Sequence, residues 1–152
     1  MHIHEGILED FDTETADPDS PSFYIYDDIY MDVTNSKKFC DIVTFSSRRI
    51  NLSLCVITQN LYHGGKFAIT CRRNFHTYVI FKSFSNVLQT LSRQLFNNSK
   101  ILVDAMNILD RHETESHKKY LMINTDCNAQ LDTKLRISSN VFDDERYFFV
   151  TK

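Results

Sequence analysis

Apolar and polar positions along the chain mark out a series of short elements. Phe23-Tyr24-Ile25-Tyr26 is a β-prone run, apolar at every position, that ends at Asp27-Asp28. A run apolar on both faces predicts a strand buried on both sides in a parallel sheet. Asn35-Ser36 has the form of a helix N-cap, followed by Phe39, Cys40, Ile42 and Val43 at roughly helical spacing. Residues 52–58 predict a second buried strand, Gly64-Gly65 a turn, and residues 77–81 a third strand. Asn86 can cap a helix with Val87, Leu88, Leu91, Leu95 and Phe96 on one face. Ser99 can cap another, with Ile101, Leu102, Ala105, Ile108 and Leu109 inward. Further β-prone runs follow at residues 120–124, 134–137 and 147–150. Strands alternating with helices predict an α/β fold with a mainly parallel sheet. The closing strands lack helices between them and predict an antiparallel extension near the C-terminus.

Residues 9–21 are acidic and hold both prolines, Pro18 and Pro21. They predict a flexible N-terminal segment over residues 1–21, with the folded domain over 22–152. A length of 152 residues suits one domain. The only glycines are Gly6, Gly64 and Gly65, where average usage would give roughly ten. Neither G-x-G-x-x-G nor G-x-x-x-x-G-K-[ST] can be written with them. Around Gly65-Lys66, Asn60 stands where the first loop glycine belongs and Phe67 where Ser or Thr belongs. The net charge of −3 gives no sign of a strongly basic nucleic-acid surface. Cys40, Cys55, Cys71 and Cys127 form no C-x-x-C pair, so they read as reduced, partly buried thiols rather than zinc ligands. There is no apolar run of signal-peptide length and none near the ~20 residues of a membrane span. The expected location is therefore cytoplasmic or nuclear, and the sequons at Asn51 and Asn97 carry no weight.

Two strand ends could carry chemistry. Four apolar residues and then Asp27-Asp28 have the form of a Walker B strand. A carboxylate at the C-terminal end of a strand in an α/β sheet faces the ligand crevice. One acid there can hold Mg²⁺, usually through water, and a second can orient or deprotonate an attacking water. Thr58-Gln59-Asn60 places polar groups at the end of the next strand, where they can meet a γ-phosphate or its water. Each segment alone also reads as ordinary strand termination. Together they require two adjacent parallel strands joined by a crossover helix, which the spacing permits.

From about Phe23 onward the sequence resembles the C-terminal half of the FtsK–HerA packaging ATPases of Polinton/Maverick elements and related eukaryotic DNA viruses. Tyr26-Asp27-Asp28 is similar to the Walker B end of that family. Asn51-Leu52-Ser53 and Thr58-Gln59-Asn60-Leu61 are similar to its sensor segment, and Gly65-Lys66 to the Gly-Lys that follows. Asn74-Phe75-His76, Val79-Ile80-Phe81-Lys82 and Leu91-Ser92-Arg93-Gln94-Leu95-Phe96 continue the pattern in order, and residues 136–147 resemble its closing segment. The resemblance implies a RecA-like P-loop domain in a homo-oligomeric ring, hydrolysing ATP with Mg²⁺ to drive double-stranded DNA into a capsid built of capsid proteins. It implies Asp27 as the Mg²⁺ carboxylate, Asp28 as general base, Gln59 as sensor and Arg93 as a subunit-interface arginine.

The departures are equally concrete. The phosphate loop that the resemblance places N-terminal to residue 1 is missing. The His-rich segment before the sensor strand is here Thr44-Phe45-Ser46-Ser47-Arg48-Arg49-Ile50, two residues shorter. Ile69-Thr70 stands where the family has Arg-Thr, leaving Arg72 or Arg73 either as substitutes or as solvated charges. Ser83-Phe84-Ser85-Asn86 replaces an N-P-R-D. His2 and His4 form an H-x-H pair of the kind an N-terminus leaves in solvent, and His112 with His117 lacks the i, i+4 spacing of ligands on one helical face. The chain thus reads as a fragment or diverged copy of a packaging ATPase, inactive alone. The alternative is a non-catalytic α/β binding or interaction module. A half-domain is expected to expose an apolar face and self-associate.

Overall fold

The computed structural model describes residues 20–46, 51–82, 85–115, 119–125, 137–139 and 147–149. The chain divides into two compact units, Met1–Phe75 and His76–Lys152.

In the first unit, β1 (Ser22–Asp27) and β2 (Leu52–Ile57) pair in parallel, from Ser22 with Leu52 to Asp27 with Ile57. The crossover is helical, as the parallel arrangement requires. α1 (Tyr30–Asn35) turns Tyr30, Val33 and Thr34 inward, the i, i+3, i+4 set of one helix face. α2 (Lys37–Asp41) begins at Ser36, whose hydroxyl accepts a hydrogen bond from the Phe39 amide at 3.3 Å. It widens into a π-helical turn, Ile42–Ser46. After β2 the chain returns through α3 (Ala68–Asn74). Tyr26, Val33, Phe39, Cys40 and Cys71 form the core, with Tyr24, Leu54 and Val56 packed against it. Tyr26 meets Phe39 edge to face at 5.3 Å between ring centroids. Burial pushes the Cys71 thiol up to about 12, with neighbouring Cys40 adding to the shift, so this is an inert core thiol.

Two-sided burial of β1 is not what the structure shows. Phe23 and Ile25 are exposed, as is Ile57 across the ladder, because the packed core residues all come from the alternate face of the sheet.

In the second unit, β3 (Thr77–Phe81), β4 (Tyr120–Asn124), β5 (Ile137–Ser139) and β6 (Tyr147–Phe149) form an antiparallel sheet in that order. Tyr78 lies opposite Ile123, and Ile123 opposite Ile137. These residues are buried, while Val79 and Phe81 on the other face are exposed. α4 (Ser85–Phe96) packs on α5 (Ile101–His112), and α5 packs on β4. Leu88, Leu91, Leu102, Ala105, Met106 and Leu109 supply their buried faces.

The mainly parallel sheet is thereby corrected. Parallel pairing is confined to β1 and β2, and residues 77–81 pair antiparallel with β4. The alternation along β3 does not decide this, since the parallel pair also buries one face and exposes the other. The partner decides it, because β3 meets β4 running the opposite way, from Thr77 with Asn124 to Phe81 with Tyr120. The protein is mixed α/β, with one two-stranded parallel sheet and one four-stranded antiparallel sheet. Among the described residues, no helix is long and apolar enough to cross a membrane.

One carboxylate fastens α5 to the sheet of the second unit. Asp110 accepts from Lys119 Nζ at 2.8 Å and from Lys82 Nζ at 3.0 Å. Those bonds, Lys119 first and then Lys82, hold the Asp110 carboxyl below its ordinary range. The resulting stabilisation is present above about pH 4, the unfolded-state value. It is lost as pH falls through the lower folded-state value. Asp110→Asn is expected to flatten this acid limb in a plot of urea midpoint against pH, while leaving the remaining acid sensitivity in place. An unchanged limb would count against the link.

Candidate site at the carboxyl ends of the parallel strands

Tyr26 is the buried anchor that sets the end of β1, and the side chain after it must point the other way. Asp27 therefore projects from the opposite, exposed face, opposite Ile57. Asp28 continues the ladder for one more bond, its amide donating to Ile57 O at 3.1 Å. It does so with φ of 56°, the left-handed region, which Asp tolerates better than most residues. The chain turns there, and the Asp28 carboxylate is exposed beyond the strand end.

Gln59 lies two residues beyond Ile57 on the neighbouring strand, also exposed. Its turn is internally bonded. The Asn60 amide donates to Thr58 Oγ1 at 3.2 Å and the Tyr62 amide to Asn60 Oδ1 at 3.1 Å. The register thus brings Asp27, Asp28 and Gln59 to one end of one sheet. Arg93 is in the second unit, exposed on α4.

The far end of the same loop is tied to α1. Gly65 N–H donates to Thr34 Oγ1 at 2.7 Å, Lys66 N–H to Asn35 Oδ1 at 2.9 Å and Phe67 N–H to Thr34 O at 2.8 Å. Thr34 Oγ1 in turn donates to Tyr30 O at 2.6 Å. These three successive amides, the groups a phosphate loop would offer to an anion, are consumed by the end of α1. The one Gly-Lys of the chain is a structural clasp.

Several resembling segments have structural work of their own. Asn51 has φ of 47°, and its carbonyl accepts from Ser22 N–H at the start of the ladder. Asn74 Nδ2 donates to Thr70 O, and His76 O accepts from Thr125 N–H. Ser92 is fully buried between α4 and α5, donating to Asn98 O and accepting from Leu102 N–H. His2, His4, His117 and most of residues 136–147 lie outside the described residues.

Mg²⁺ keeps several waters and commonly takes one or two protein carboxylates plus substrate phosphates. Exposed Asp27 and Asp28 fit that role. Among the described residues, no group of three His, Cys, Asp or Glu forms a protein cage for a metal. The Gly65–Phe67 amides offer no cradle to ATP phosphates, since all three are taken.

Arg72, which the sequence leaves open as a substitute arginine or a solvated charge, is held within the chain: its Nη1 donates to Leu61 O at 2.9 Å and its guanidinium lies over the Tyr62 ring at 5.0 Å. A cation followed by its own helix end gave no signal for that contact.

No family model matches the chain. No curated protein and no solved structure matches it either.

Proposed function

We propose that the first unit is the carboxylate-and-sensor half of a nucleotide-hydrolysing site, in a fragment or diverged copy of a DNA-packaging ATPase. One observation carries the reading: the parallel register sets Asp27, Asp28 and Gln59 at the same strand ends. In this reading Asp27 holds Mg²⁺, Asp28 accepts the proton of the attacking water and Gln59 orients that water. Mg²⁺, when bound, neutralises charge on the phosphates. The phosphate loop comes from polypeptide outside these residues. The RecA-like fold, the ring, the double-stranded DNA and the capsid proteins belong to the same proposal and rest on the sequence resemblance. The clasped Gly65–Phe67 amides favour a second reading for the chain alone, a non-catalytic α/β interaction module.

The test begins with the transcript upstream of Met1. An in-frame or spliced G-x-x-x-x-G-K-[ST] after a β-prone run is expected, and the longer protein should hydrolyse ATP with Mg²⁺. Asp28→Asn in it should lower kcat by about 100-fold or more, the usual scale for a general base. The 152-residue chain should show no hydrolysis. A longer protein indifferent to both Asp27→Asn and Asp28→Asn would overturn the proposal.

A further inference from the structure

The loop between β2 and α3 is held at two places, of which the Gly65–Phe67 clasp is one. The other is made by Arg72 from the last turn of α3. Its Nη1 donates to Leu61 O at 2.9 Å, and its guanidinium covers the Tyr62 ring. Between the β2 end and this contact lies only the turn Thr58–Gln59–Asn60, already closed by its own hydrogen bonds. A charged fork fixed on a carbonyl and stacked on a ring is a stronger restraint than a neutral bond. Behind it sits Tyr30, almost fully buried, with a hydroxyl that finds no hydrogen-bond partner of acceptable geometry among the described residues. The guanidinium still stands near enough to that hydroxyl to oppose the upward push of burial on the phenol.

We infer that Arg72 is the positioning residue of the candidate site: it clamps the Leu61-Tyr62 end of the turn that presents Gln59. The inference rests on the proposed role of Gln59, and it assigns Arg72 inward instead of towards a neighbouring subunit. Arg72 touches no reacting atom. It acts by fixing where the Thr58–Asn60 turn sits relative to Asp27 and Asp28. A lysine in its place can keep a cation near Tyr62 but cannot reproduce the planar fork.

Two readouts on the full chain test this. Amide hydrogen exchange across residues 58–67 in Arg72→Gln is expected to be roughly tenfold faster or more, the scale of one lost charged hydrogen bond. Exchange in β1 and β2 should be little changed, and Arg72→Lys should fall between. The second readout is the ultraviolet titration of the tyrosines. Burial raises the phenols of both Tyr30 and Tyr62, and Arg72 lowers both. Arg72→Gln should therefore move these phenols to higher pH. General loosening would move them the opposite way, towards the ordinary value near 10, and Phe39→Leu serves as that control. Unchanged exchange at 58–67, or phenols shifted downward as in the control, would overturn the inference. Failure of the longer protein to hydrolyse ATP would count against the catalytic reading and not against the clamp.

Discussion

Gly65→Ala is expected to destabilise the first unit by about 3 kcal/mol, the upper part of the range for overpacking a tight site. An added Cβ would stand 2.6 Å from the Asn35 backbone nitrogen and closer still to the Asn35 side-chain amide. Backbone cannot swing aside as a flexible side-chain tip can. Relief would require pulling the loop away from α1, which breaks the Gly65 and Lys66 hydrogen bonds to Thr34 and Asn35. A net stability of 5–15 kcal/mol is the rule for whole domains, so a unit this small has little to spare. Urea unfolding followed by far-ultraviolet dichroism measures the loss. A midpoint within experimental error of wild type would show that the clasp is looser than described. Gly64→Ala should behave similarly, since its Cβ would lie 2.8 Å from Tyr30 Cε1 and also collide with Ala68.

The second large effect is expected at Ser92. Its hydroxyl donates to Asn98 O and accepts from Leu102 N–H at 3.2 Å, and the residue is fully buried. Ser92→Ala removes both bonds and strands the buried Leu102 amide at the joint of α4 and α5, while the carbonyl of exposed Asn98 can turn to water. One unsatisfied buried group costs about 1–3 kcal/mol, and a loss of that size follows. Arg93→Ala, one residue on and exposed, should change stability by no more than about 0.5 kcal/mol. The pair of variants separates two meanings of the Leu-Ser-Arg-Gln segment. If Ser92→Ala proves silent and Arg93→Ala destabilises, the packing account is wrong.

Much of the secondary structure was legible, and the reasons are visible in individual residues. The helix faces of α4 and α5 are readable in part, because Leu88 and Leu91, then Leu102, Ala105 and Leu109, repeat at helical spacing and are buried, whereas Ile108, expected on the same face, is exposed and α5 starts at Lys100 without a cap from Ser99. The N-cap Ser36 was readable because a short hydroxyl before an apolar run has one common use. α1 and α3 were not foreseen. They are six and seven residues long, neither has a side-chain cap, and they are helical because tertiary contacts hold them. The pairing of β3 was misjudged because a β-prone run carries no label for its partner, and a parallel or antiparallel neighbour leaves much the same local pattern. Asp27, Asp28 and Gln59 were placed correctly at one sheet end, since parallel pairing of their two strands follows from an intervening helix. The Gly-Lys clasp was hidden because its purpose depends on Thr34 and Asn35, thirty-one positions earlier in the chain.

The strand pairings also order events in time. Every rung of the first sheet, from Ser22 with Leu52 to Asp27 with Ile57, is complete within the residues before His76. The second sheet cannot start until Tyr120–Asn124 exists to meet β3, and it cannot finish until Tyr147–Phe149 has been made. During synthesis the chain leaves the ribosome N-terminus first, and units close as they emerge. The first sheet can therefore form while β3 waits unpaired for more than half of the second unit to be translated. With Tyr78, which the finished sheet buries against Ile123, uncovered in that interval, the vulnerable stage of biogenesis falls on the second unit, and that is where a chaperone would be expected to bind.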